Sequence, residues 1–131
     1  MIVVDTSAII AILKEEAEGG RFAAIIGAAE SCFFSAVSLF EASMVMVGRG
    51  RPELARAVDG LISELAIEIV PFDEHLALGS RAAFIRFGKG RHPAGLDFGD
   101  CVSYALARSR GLPLLFKGSD FAKTDVISAL G

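Results

Sequence analysis

The sequence predicts an α/β protein with three α/β/α layers around a mostly parallel central sheet. Three observations predict it. Short apolar runs rich in β-branched and aromatic residues stand at residues 1–4, 32–35, 67–70 and 113–116. Stretches of helical periodicity separate them, and the first run lacks the polar alternation of a sheet with one wet face. No repeat, low-complexity tract or linker interrupts the pattern, and 131 residues suit a single domain spanning residues 1–131.

Residues 1–4 read as a strand buried on both faces, hence a central one. The run ends abruptly in Asp5-Thr6-Ser7. Open α/β sheets bind ligands outside the carboxyl ends of their strands, so Asp5 is presented at a site rather than on the outer surface. Residues 7–16 carry Ile9, Ile10, Ile12 and Leu13 at helical spacing and turn polar at Lys14-Glu15-Glu16. Gly19-Gly20 punctuates this helix, and residues 22–29 form a second. A buried strand follows at residues 32–35, then a third helix opened by Ser38 and ended by Gly48-Arg49-Gly50. Pro52 suits a first helical turn, where its missing N–H costs nothing, and that helix continues to about residue 66. Residues 67–70 form a strand closed by Pro71, and Asp73 caps a helix reaching Ile85. Residues 88–95, with three glycines and Pro93, read as a mobile loop. Asp97 starts a helix that Gly111 stops, residues 113–116 form another buried strand, Ser119 opens a short helix, and residues 125–127 suggest a last strand.

Composition narrows the function. The chain is 53% hydrophobic with a mean hydropathy of +0.53, implying a generous core or an apolar face covered by a partner. Its longest apolar stretch, residues 2–13, is interrupted by Asp5 and falls short of the roughly 20 residues of a spanning helix. It also lacks the basic flank of a signal peptide. Cys32 and Cys101 without a Cys/His cluster make neither a disulfide framework nor a zinc site. A soluble, cytoplasmic protein with no membrane association is expected. A net charge of −3 argues against a surface that binds nucleic acid throughout, and leaves room for a local basic groove.

Four acids occupy apolar or helix-opening contexts: Asp5, Glu41, Asp100 and Asp120, with Asp97 as a fifth candidate. In a parallel sheet, Asp5 and Asp120 project from strand ends while Glu41 and Asp100 fall in first turns of helices, so all four can meet at one rim. Each also has a structural reading. Ser38-x-x-Glu41 is a capping box, Asp97-x-x-Asp100 resembles one, and Asp5 and Asp120 suit helix N-termini. Jointly the acids ask for more, because converging carboxylates raise one another's pKa or require a cation. An all-oxygen set with no histidine nearby suits Mg²⁺ or Mn²⁺, and carboxylate-held Mg²⁺ acts above all on phosphates. The reaction class indicated is metal-assisted phosphoester hydrolysis.

Val4-Asp5-Thr6-Ser7-Ala8, the helical Glu41, the block from Phe98-Gly99-Asp100 to Ala107, and Leu115-Phe116-Lys117-Gly118-Ser119-Asp120-Phe121 through Asp125 resemble the PIN-domain ribonucleases, specifically the VapC toxins of toxin–antitoxin pairs. The likeness covers the whole chain in order. It implies a Mg²⁺- or Mn²⁺-dependent endoribonuclease, usually homodimeric and held inactive by a cognate VapB-type antitoxin. By position it assigns the acidic quartet to Asp5, Glu41, Asp100 and Asp120, with Thr6, Ser7 and Ser119 in support and Asp97 as a secondary ligand.

Other classes fit less well. An aspartyl-phosphate phosphatase needs a second Asp two residues after the first, where this chain has Ser7. A receiver-like phospho-accepting module would pair Asp5 with Lys117, yet it wants an acidic doublet that Asp5-Thr6 does not supply. Arg81, Arg86, Lys89 and Arg91 form an acid-free basic run that reads as an RNA-phosphate edge or as a solvated helix face, with Arg49 and Arg51 extending it. His75 and His92 read as structural or exposed. The apolar faces of residues 39–47 and 22–26 read mostly as core, with any surplus left for the antitoxin.

Overall fold

Alternation within three strands creates the layers. The computed structural model describes residues 1–48 and 50–131; Arg49 lies outside the described residues. β1 (Ile2–Val4), β2 (Cys32–Ser35), β3 (Glu68–Val70) and β4 (Leu114–Leu115) form one sheet in the order β3-β2-β1-β4. Every pairing is parallel, with Val3 opposite Phe33 on one side and Leu114 on the other. Successive strand side chains face opposite ways. Val3, Phe33 and Leu114 therefore join one core cluster, while Ile2, Val4, Cys32, Phe34 and Leu115 join the other.

Among the described residues, six α-helices cover the two faces: α1 (Thr6–Leu13), α2 (Gly19–Ala28), α3 (Ala36–Val47), α4 (Ala55–Glu64), α5 (Glu74–Phe87) and α6 (Phe98–Arg110). The Val3 cluster contains Leu76, Ala83 and Phe87 of α5 and Cys101, Tyr104 and Leu106 of α6. The Val4 cluster contains Ile9 of α1, Phe22 and Ile26 of α2, Ala42 of α3, and Val58 and Ile62 of α4. Removing each large apolar side chain from water contributes about 1.5–3 kcal/mol. Most strands and helices thus stand where the periodicity predicts.

Several boundaries differ, each for a local reason. The first helix ends at Leu13 rather than Glu16, because Glu15 adopts a φ of 53°. Glu15 N–H then donates to Ile12 O at 3.2 Å and Glu16 N–H to Ala11 O at 2.9 Å, a Schellman stop. Gly19-Gly20 lies inside α2, not before it, because Gly19 lets α2 begin against α1: a Cβ there would stand 2.6 Å from Ala11 O. Ser35, not Ser38, caps α3 through the Val37 N–H, so the expected Ser38–Glu41 capping box is absent and Glu41 falls in the second turn. The expected helix from Pro52 to residue 66 is a 3-10 turn, Pro52–Leu54, followed by α4, which stops where Ala66 takes a φ of 52°.

The glycine-rich loop expected to be mobile is hydrogen-bonded at both ends. Leu96 N–H donates to Phe87 O, Lys89 N–H to Leu96 O, and Ala94 N–H to Nδ1 of His92, with Ala94 and Leu96 buried. The helix expected from Ser119 is a single 3-10 turn, Phe121–Lys123. Instead of a final strand there is one isolated bridge, Leu114 to Ser128. The apolar face of residues 39–47 is not mostly core: Phe40, Met44 and Val45 are exposed, and only Ser38 and Ala42 of α3 are buried. No described helix is long and apolar enough to cross a membrane.

Candidate active site

Asp5 follows β1 and caps α1, and the same carboxylate faces the site. Its Oδ2 accepts from the Ser7 N–H at 3.0 Å and the Ser7 hydroxyl at 2.6 Å, while Oδ1 accepts from the Ser103 hydroxyl at 2.5 Å. Three of a carboxylate's roughly four lone-pair sites are committed, leaving one on Oδ1. Asp5 is only 2% exposed, and among the described residues no cationic side chain bonds it.

Asp100 opens α6 in a reciprocal capping box with Asp97. The Asp100 N–H donates to Asp97 Oδ1 at 2.9 Å and the Asp97 N–H to Asp100 Oδ2 at 3.1 Å. Glu41 arrives from α3 against the first turn of α6. A Cβ built on Gly99 would overlap the Glu41 carboxylate, so the absence of a side chain there lets α3 and α6 close upon it. Thr6 and Ser38 brace this junction, the Thr6 hydroxyl donating to the Ser38 carbonyl at 3.3 Å and Ser38 Oγ lying 3.5 Å from Ser103 Oγ.

Asp5, Glu41 and Asp100 border one depression of about 450 Å³, together with Thr6, Ser7, Glu16, Lys117 and Gly118. Burial raises all three carboxyl pKa values above their ordinary range. Asp5 is held up despite the Ser103 and Ser7 hydrogen bonds, and Glu41 despite the Thr6 hydroxyl. Asp100 is pushed up to about 7, by burial first and then by the charges of Asp5 and Asp97. The donor set is all oxygen and carries an excess of negative charge, which suits a hard cation. Among the described residues no group of three or more His, Cys, Asp or Glu side chains lies close enough to hold a metal ion together as it stands. A Mg²⁺ site keeps several waters and needs only one or two carboxylates, so an open arrangement fits that ion better than a dedicated cage would.

Asp120 is exposed and is not among the residues bordering the depression, and neither are Asp97 and Ser119. The basic run is also elsewhere. Arg81 edges an apolar groove between α5 and α6, Arg86 bonds Asp125 at 3.2 Å, and Lys89 and Arg91 are exposed. Among the described residues, the cation at the depression is Lys117. It pairs with Glu16 at 3.0 Å and Glu18 at 3.5 Å rather than with Asp5, and Glu16 holds the ammonium pKa above its ordinary value. Sequence reasoning missed Ser103, Gly99 and Glu16 as parts of the site. Ser103 left a signal, a lone hydroxyl one turn beyond Asp100 on an otherwise apolar helix face.

Comparison with known proteins supplies the family. Residues 2–127 match the PIN domain. The chain belongs to the PIN-domain family. Within it, the chain is 46% identical over 130 residues to ribonuclease VapC28 of Mycobacterium tuberculosis, covering 98% of each. The fold is similar to that of M. tuberculosis VapC20, described as a sarcin-ricin loop cleaving toxin, with a TM-score of 0.78 at 18% identity and 97% of each chain covered. It is also similar to DNA-bound VapBC from Salmonella typhimurium, with a TM-score of 0.69 at 22% identity, covering 98% of this chain and 96% of that one.

Proposed function

We propose that this PIN-domain protein is a VapC-type toxin, an endoribonuclease that hydrolyses RNA phosphodiesters with a divalent cation, Mg²⁺ or Mn²⁺, held by Asp5, Glu41 and Asp100. The observation that carries this reading is that three carboxylates, one following β1 and the others from α3 and α6, border one depression, and that among the described residues no cationic side chain bonds Asp5. Full-length likeness to a ribonuclease of the same family supports the substrate class.

A cation bound here supplies neutralising charge for phosphoryl oxygens and lowers the pKa of water in its shell. The chain's own residues do the rest. Ser7 and Ser103 fix the Asp5 carboxylate in one rotamer, so that no reorganisation accompanies the reaction. Glu41 and Asp100, across the depression, accept hydrogens from water and orient it toward phosphorus. Asp97 holds Asp100 through its backbone, and Asp120, with Ser119, lies beyond β4 and outside the depression as an outer acid.

Two partners are also proposed. Exposed Phe40, Met44 and Val45 on α3 are contiguous with the depression through Val45, so a VapB-type antitoxin seated there would occlude it. The second apolar patch, Phe84, Ile85 and Phe98 beside the α5–α6 groove, shares no lining residue with the depression and suits a second copy of the chain. Arg81, Lys89 and Arg91 are exposed basic residues available to RNA. The site of action proposed is the cytoplasm.

Incubating the purified chain with labelled RNA tests the activity. Cleavage is expected with Mg²⁺ or Mn²⁺, none with a chelator, and none for Asp100→Asn. Cleavage by that variant at the wild-type rate would overturn the assignment.

A further inference from the structure

Lys117 and its partner Glu16 are the charged residues bordering the depression, among those described, that the cation site does not use. The chain builds β1, β2 and β3 in one direction across the sheet and then places β4 on the other side of β1. The carboxyl ends of β1 and β4 therefore flank the point where strand order reverses, which is where open α/β sheets present ligands. Asp5 follows one of these strands, and Lys117 lies two residues beyond the other.

The two are fixed to each other. The Lys117 N–H donates to Ser7 Oγ at 3.0 Å, and the Ser7 hydroxyl donates to Asp5 Oδ2 at 2.6 Å. The lysine's backbone is thus registered against the buried carboxylate through one serine. Its ammonium turns away from Asp5, Glu41 and Asp100 and binds Glu16 and Glu18, 3.0 and 3.5 Å away. Those glutamates are held in place by the tight α1–α2 connection, where Glu16 N–H closes onto Ala11 and Gly19 packs against the same carbonyl.

Stability is a poor reason for this arrangement. The three side chains are 37%, 34% and 41% exposed, and exposed pairs contribute about 0–1 kcal/mol. Its position is the better reason. Lys117 is the only cation bordering the depression among the described residues, and it is beside an excess of carboxylates that would repel RNA. An RNA phosphate replacing Glu16 and Glu18 would recover the same charge-assisted hydrogen bonds.

We infer that Lys117 binds an RNA phosphate at the lip of the depression and that Glu16 and Glu18 are an internal competitor, holding the ammonium until RNA displaces them. This rests on the ribonuclease reading above.

The test measures binding apart from cleavage. Asp100→Asn protein is titrated onto a fluorescein-labelled, mixed-sequence single-stranded RNA by anisotropy at several salt concentrations. Adding Lys117→Met is expected to weaken binding about tenfold and to lower the salt slope by about 0.7, one phosphate contact on a single strand. Lys117→Arg should restore most of both. Glu16→Gln with Glu18→Gln should tighten binding several-fold, and that gain should vanish when Lys117→Met is added. In the otherwise wild-type chain, Lys117→Met should raise KM far more than it lowers kcat. An unchanged affinity and slope for Lys117→Met would overturn the inference, as would an equal gain from the glutamine pair with or without the lysine. If the wild-type chain fails to cleave RNA with Mg²⁺ or Mn²⁺, it is the ribonuclease reading that falls.

Discussion

Two aspartates in this molecule accept short hydrogen bonds from hydroxyls yet have opposite electrostatics. Asp125 takes the Tyr104 hydroxyl at 2.5 Å and lies 3.2 and 3.9 Å from the guanidinium groups of Arg86 and Arg108. The Tyr104 hydrogen bond, with those cations behind it, lowers its pKa. Asp5 takes Ser103 and Ser7, lies buried beside Glu41 and Asp100, and has its pKa raised. Asp125 is compensated by the fold and joins α5, α6 and the C-terminal segment. Asp5 is oriented by the fold but, among the described residues, not neutralised by it, and that shortfall is what the proposed cation would make good.

The comparison breaks first at the carboxylates. Asp5→Ala and Asp100→Asn should each lower RNA cleavage more than about 100-fold, beyond the usual cost of removing a group that merely supports a metal ligand. Asp100→Asn is the cleaner probe, because an amide oxygen can still accept the Asp97 N–H; circular dichroism should show an unaltered fold.

The next probes touch the supports. Ser103→Ala frees Oδ1 of Asp5, and Gly99→Ala forces the Glu41 carboxylate aside. Each should cost about 10–100-fold in cation affinity or cleavage rate. Wild-type rates in both variants would remove positioning from the account.

Stability against pH should carry opposite signs at the two sites. Asp100, raised from 3.8 to about 7, favours the folded state below its unfolded value, and that advantage is lost as pH rises through 7. Asp125, lowered from 3.8, contributes stability above that value and loses it as pH falls. In the presence of a chelator, thermal melts should therefore peak near pH 4 and decline until the pH passes about 7. Saturating Mn²⁺ at a hundredfold excess over its Kd should restore about 2.7 kcal/mol at the alkaline end. A flat profile that Mn²⁺ does not move would contradict the contrast.

Asp125→Asn should instead cost roughly 1 kcal/mol of stability, since its ion pairs are partly exposed, and leave cleavage at saturating RNA unchanged. The smallest effect is expected at Ala66, where a positive φ disfavours a side chain. Ala66→Gly should stabilise the chain by about 0.5–1 kcal/mol in urea melts.

What the sequence disclosed follows from the range of the forces involved. Strand β2 and the start of α6 were legible because apolar runs and caps are local signals. The end of α1 was not, because Glu15 holds a left-handed position where glycine is the usual marker. At the site, Asp5, Glu41 and Asp100 could be proposed because acids are conspicuous in apolar surroundings. Ser103 and Gly99 act through contacts with Asp5 and Glu41, 98 and 58 positions away, which no local pattern records. The basic run of residues 81–91 was conspicuous for the same reason as the acids, yet Arg86 is committed to Asp125 and the cation beside the depression is Lys117.

Asp5, Glu41 and Asp100 are proposed to hold a divalent cation, and calorimetric titration of Mn²⁺ into the chelator-stripped chain slightly above pH 7 decides the matter. Saturable binding with proton release is expected, because a carboxyl whose pKa stands near 7 must deprotonate fully to serve as a ligand, with affinity at least about tenfold weaker in Asp100→Asn. Isotherms that are the same for both proteins, or no binding to the wild-type chain, would contradict it.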